Sequence, residues 1–128
     1  MNSLDKFTPY ALAALRLVTA YLFFTHGTDK VFGVPHLFGA QPLDSLFGIA
    51  GIMEVIGGAL MILGLFTRPV AFILSGQMAV AYFHVHATAD TFLFPILNQG
   101  EPPVLYTFIF LLIVFAGPGA WALDNRKK

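Results

Sequence analysis

Four apolar runs, each about as long as a lipid bilayer is thick, limit what this chain can fold into more than anything else in it. A helix needs about 20 mostly apolar residues to cross a hydrocarbon layer of ~30 Å. Runs of that kind occupy residues 8–26, 46–66, 69–87 and 104–122. Proline, glycine and polar residues punctuate them. Thr8 and Thr67 are placed to cap the first and third helices, with Pro9 and Pro69 at the first helical position. The "GPG" at 117–119 should break or kink the fourth. Composition agrees, since 57% hydrophobic and 11% charged residues over 128 positions lie outside the range of a soluble domain. The expected fold is an all-α, integral membrane four-helix bundle forming one domain over residues 1–128. The first run carries a central arginine and no small-x-small cleavage site, so it reads as retained rather than as a signal peptide.

The basic residues set an expected orientation. Lys6, Arg68, Arg126, Lys127 and Lys128 fall on one side, while the loops on the other side hold only Lys30. Both termini are then inside, with residues 27–45 and 88–103 facing out. Loop 27–45 is rich in apolar residues, among them Val31, Phe32, Val34, Leu37 and Phe38, which predicts an interfacial helix or re-entrant segment between helices 1 and 2. Seven basic residues balance seven acidic ones, so nucleic acid is not an expected partner. There is no cysteine, which excludes disulfides, thiolate metal sites and CxxC chemistry within this chain.

Helical periodicity then asks where the few polar residues point. Arg16, Thr19, Phe23, His26 and Lys30 share one stripe of helix 1. Glu54 shares a face with Gly51 and Gly58, small residues that let neighbouring backbones approach, so it should point inward. Gln77, Ala81, His84 and Thr88 line one face of helix 3, with His86 nearly opposite. Arg16 lies ~12 Å from the inner boundary and Glu54 ~18 Å from it, a gap an arginine can span. An unpaired charge at that depth costs at least ~2.5 kcal/mol, so an Arg16–Glu54 ion pair is expected. The residues together describe a polar funnel that opens outward past His84, His26 and Lys30.

Each signal has a structural reading beside the functional one. Arg16 and Glu54 could simply fix helix order, Lys30 could be a snorkelling anchor, and the histidines could bond carbonyls. The two imidazoles of "HVH" diverge on a helix and no HExxH spacing exists, so no metal site is assigned. Phe23 and Phe83 near the stripes could stack on a planar ligand.

Three stretches carry a resemblance: "ALRLVTAYLFFTHGTDKVFG", "GIAGIMEVIGGALMILGLFTRPVA" and "NQGEPPVLYTFIFLLIVFAGPGAWALD". Their HGxxKxxG, GxxExxGGxxLxxGL and terminal GE and GPG elements resemble the DoxX family of small bacterial membrane proteins. That family is similar to the small subunit of thiosulfate:quinone oxidoreductase. The resemblance implies a four-helix bundle in the bacterial inner membrane, associated with sulfur, thiol or quinone redox. It marks Arg16, His26, Lys30, Glu54 and Arg68 as motif positions.

On this reading His26, Glu54 and Arg16 are the candidate catalytic residues, and Lys30, Gln77, His84 and Phe23 the candidate ligand-binding residues. His26 would exchange protons, Arg16 and Lys30 would hold an anionic or carbonyl oxygen, and Glu54 would orient Arg16 or relay protons. The expected ligand is a quinone or a small sulfur compound, and the expected partner is the lipid bilayer. A second reading is a non-enzymatic scaffold that recruits soluble redox proteins through Arg68 and the tail at 124–128. A third is a small transporter, which would need a homo-oligomer.

Overall fold

The computed structural model describes residues 3–126, and every element in it is helical. Five α-helices follow a 3-10 turn at Ser3–Phe7: α1 Thr8–Phe32, α2 Leu46–Leu63, α3 Thr67–Ala81, α4 Pro95–Asn98 and α5 Glu101–Ala116. A π-helical turn, Tyr82–His86, extends α3, and a 3-10 turn closes the described chain at Leu123–Arg126. Lys127 and Lys128 lie outside the described residues.

The surface is that of a chain built for an apolar solvent. Val18, Ile56, Phe72, Val80, Phe108 and Phe115 are all at least 57% exposed, while Arg16, Asp29, Glu54, Thr67 and Ser75 are buried. Ser3–Phe32 and Leu46–Leu63 are long and apolar enough to cross a membrane. Only 28% and 33% of their apolar windows is buried inside the molecule, whereas a core helix of a soluble protein would be mostly buried. Inside, Phe23 of α1, Met61 of α2, Leu74 and Met78 of α3, and Phe110 and Ile113 of α5 form one core.

The helix boundaries depart from the sequence reading for local reasons. α1 runs to Phe32 rather than ending near residue 26, because nothing before Gly33, its left-handed C-cap, stops it. The connection that follows holds no interfacial helix. It winds instead around the Asp29 carboxylate, which accepts the backbone N–H groups of Leu37 at 2.7 Å, Phe38 at 3.0 Å and Gly39 at 3.4 Å. α2 ends at Leu63 against the left-handed Gly64, and α5 stops at Ala116, before the Gly-Pro-Gly. Ser45 caps α2 by accepting from Gly48 N. Neither threonine acts as a cap. The residue before α1 is Phe7 and that before α3 is Phe66, with no side-chain cap bond of their own. The start of α3 is held from a distance: Asp124 accepts from Phe66 N and Thr67 N, both at 2.9 Å.

Candidate functional site

The close approach of α1 and α2 builds the site. A Cβ on Gly27 would fall 2.7 Å from Val55 N and 2.8 Å from Glu54 Cβ, and one on Gly51 would fall 2.7 Å from Lys30 Cβ. Glycine at both positions lets the two backbones nearly touch, as small residues do in membrane helix pairs. Lys30 then reaches across to Glu54, and its Nζ lies 3.0 Å from Oε1 and 2.9 Å from Oε2. Glu54 is 1% exposed. α3 completes the group, since Gln77 Nε2 donates to Glu54 Oε2 at 3.0 Å and approaches Ala50 O at 3.5 Å.

Both neighbours of that amide nitrogen are acceptors, which fixes which way the amide faces. It leaves Gln77 Oε1 buried with no donor among the described residues. An ammonium has three N–H donors and Glu54 takes two, so one remains on Lys30. The group therefore presents one free donor and one free acceptor beside a buried carboxylate. That is what recognition of a small hydroxyl- or carbonyl-bearing molecule requires.

α5 supplies an aromatic wall. Tyr106 meets Phe23 edge to face at 5.5 Å, stacks on Phe110 at 6.0 Å, and lies 6.2 Å edge to face from His26. His26 itself is exposed and has no hydrogen bond among the described residues.

Arg16 is elsewhere, which corrects the expected Arg16–Glu54 pair. Fourteen residues separate it from Lys30 along α1, or about 21 Å of helix. Its guanidinium is fully buried and donates to four carbonyls: Met61 O and Ile62 O at 2.8 Å, Pro118 O at 2.9 Å and Ala120 O at 3.0 Å. The first two are carbonyls of the last turn of α2, of which Met61 O also accepts from Gly64 N at 3.2 Å, and the others belong to the unwound segment after α5. The pairing went to Lys30 because the helix ends offered Arg16 acceptors within its own reach.

His84 is not brought to the group either. It is exposed, in a shallow surface groove with Ala79, Val80 and Phe83. The π-turn explains this: it closes through Ala87 N to Tyr82 O at 2.8 Å, so residues beyond Ala81 leave the α-helical register. It turns His86 inward instead, and His86 Nδ1 meets Asn98 O at 3.1 Å. Phe23, by contrast, lies in the core against Tyr106. Two residues that the scaffold reading relied on are engaged within the fold: Arg68 donates to Val114 O and Phe115 O at the end of α5, and Asp124 caps α3.

Sequence reasoning missed Tyr106, Asp29 and Asp124 as structurally important. A signal existed for Asp29, which sits between the histidine and lysine of "HGTDK" on a face that could not be solvated. None existed for Asp124, whose role depends on the chain returning to α3.

Exposed apolar helices around an inward-turned acid–base group define the class: a small all-helical membrane protein. The chain belongs to the DoxX family, whose profile matches residues 11–87. It is 49% identical over 130 residues to an uncharacterised Haemophilus influenzae protein, covering 98% of this chain and 97% of that one. It is 32% identical over 141 residues to the Escherichia coli inner membrane protein YphA, covering 98% of this chain and all of the relative. A second uncharacterised Haemophilus influenzae protein is 28% identical, with 92% of this chain and 83% of the relative covered. No solved structure matches.

Proposed function

We propose that this is a multi-pass inner-membrane protein whose Lys30–Glu54–Gln77 group binds the polar head of a small redox-active molecule, with a quinone the leading candidate, in the service of a redox complex. The observation that carries this is the group itself: an ionisable carboxylate 1% exposed, held by one lysine, beside a buried glutamine oxygen that has no donor among the described residues. Intramembrane ionisable residues are costly, and they mark functional sites by default. In this role Lys30 holds the ligand oxygen, Gln77 accepts from the hydroxyl that the reduced quinol form carries, Glu54 sets the charge of the pocket, and His26 and Tyr106 exchange protons at its edge. Arg16 orders the opposite end of the fold.

The membrane arrangement supported best is a bundle of α1, α2, α3 with its π-turn, and α5, with both termini inside. Lys6, Arg68 and Arg126 then lie inside, and Lys30, the one basic residue of the outer half, is neutralised by Glu54. The inner-membrane relative and the family membership support the same location.

Native mass spectrometry of protein extracted in mild detergent tests the reading. Quinone should co-purify with the wild type and be lost from Glu54→Gln. Equal quinone retention by a folded Glu54→Gln protein would refute it. Absence of quinone from both, with soluble redox proteins retained, would favour the scaffold reading.

A further inference from the structure

The walls around Glu54 are not equally closed. Between α1 and α2 the glycine contacts leave no gap. Between α3 and α5, Ser75 Oγ donates to Thr107 O at 2.8 Å, which ties the helices at mid-length. From the outer end the group is roofed by the chain after α1, where Gln41 N donates to Lys30 O at 2.7 Å and Asp29 clamps residues 37–39. α1 and α5 differ from these pairs. No hydrogen bond joins them among the described residues, and near the site they meet only through the rings of Phe23, His26, Tyr106 and Phe110.

This seam lies at the level of the group. His26 is six residues before the end of α1 and Tyr106 five residues after the start of α5, each about 8–9 Å below the outer helix ends. On the membrane reading an exposed imidazole at that depth faces lipid rather than water, and it has no hydrogen-bond partner among the described residues. Beside it Phe108 is 63% exposed and Leu105 61%, so the seam opens onto the apolar exterior.

We infer that the Lys30–Glu54–Gln77 group is reached sideways, from the outer half of the bilayer through the α1–α5 seam at His26 and Tyr106, and that its ligand is a lipid-soluble molecule with a hydroxyl-bearing head rather than a water-soluble anion. This rests on the membrane and binding reading above. The ligand class follows from two features together. Only a molecule already dissolved in lipid meets this entrance, and only a head with an O–H or N–H satisfies Gln77 Oε1.

The chain has no cysteine, so single spin labels can be placed at His26→Cys and Tyr106→Cys without background. Each is measured in phosphatidylcholine vesicles for collision with oxygen, which concentrates in lipid, and with a water-soluble nickel chelate. Labels at Phe72→Cys and Asp90→Cys serve as lipid-facing and aqueous references. The seam predicts that 26 and 106 behave like 72. If either behaves like 90, or if neither agent relaxes them, lateral access is overturned. If position 72 itself behaves like 90, the membrane reading fails first and the inference falls with it.

The ligand class is read separately on the label at 106. 4-Decylphenol in the vesicles should lower oxygen collision there and not at 72, and sodium sulfate should change neither. An effect of sulfate, or no effect of the phenol, overturns the ligand class while leaving the entrance intact.

Discussion

Lys30 holds the Glu54 carboxylate by both oxygens, at 3.0 and 2.9 Å, with the glutamate 1% exposed and the lysine side chain 20% exposed. Breaking such a pair from one side strands a buried charge, whereas replacing both partners by apolar residues does not. Lys30→Met should therefore destabilise the protein by about 3–5 kcal/mol, and Lys30→Met with Glu54→Leu should recover most of that loss. Denaturation of the two variants in matched detergent measures the difference. Equal destabilisation of the single and double variants would contradict the pairing.

Arg16 predicts a different pattern because its partners are backbone carbonyls. Arg16→Leu leaves three of them, Ile62 O, Pro118 O and Ala120 O, without a donor, since Met61 O keeps its bond from Gly64 N; at about 1 kcal/mol or more each the loss should reach ~3 kcal/mol. Nothing at Glu54 can rescue it. The effects of Arg16→Leu and Glu54→Gln should add to within about 0.5 kcal/mol in a double-mutant cycle, as for independent sites. A larger coupling would mean that the two side chains share an environment.

These two residues also show what the amino-acid sequence can and cannot reveal. The inward direction of Glu54 was legible, because it shares a helix face with Gly51 and Gly58, and the orientation of Gln77 followed in the same way. The helices themselves were legible from the apolar runs, but not their ends: the runs placed these near residues 26 and 66, whereas Gly33 and Gly64 close α1 and α2. Arg16 was assigned the wrong partner because carbonyls at a helix end carry no side-chain signature. His84 left the Gln77 face and His86 turned in to Asn98 because a π-turn shifts the register after Ala81, and periodicity assumes an unbroken α-helix. Tyr106 went unnoticed on an α5 whose apolar residues surround the whole helix, so that no face stood out.

Asp124 should prove structural rather than a docking determinant. Asp124→Ala removes the two bonds it makes to Phe66 N and Thr67 N, and should cost about 1–2 kcal/mol, as loss of a helix cap does. A melting curve reads this. Partner loss on trimming the tail is informative only beside a variant that keeps Asp124.

Two glycines on the helices separate close packing from mere flexibility. Gly51→Ala drives a methyl to 2.7 Å from Lys30 Cβ, so α1 and α2 must part, at a cost of about 1–3 kcal/mol. Gly76 has nothing within 4 Å of the position its Cβ would take. Gly76→Ala should be neutral or stabilise by up to ~1 kcal/mol through helix propensity. Thermal unfolding of the pair in one detergent checks both, and a Gly51→Ala protein as stable as the wild type would contradict the helix crossing described here.

The central claim is that the Lys30–Glu54–Gln77 group binds a polar head, and an anaerobic titration of the protein in lipid nanodiscs with decylubiquinol, the reduced form that carries hydroxyls, tests it most directly. Wild type and Gln77→Leu are compared, since Gln77 touches the carboxylate without bearing charge and its replacement should leave the fold standing. The account predicts binding by the wild type and an affinity at least about tenfold weaker in the variant, equivalent to ~1.4 kcal/mol. Equal affinity in the two proteins, or no binding by the wild type, would contradict it.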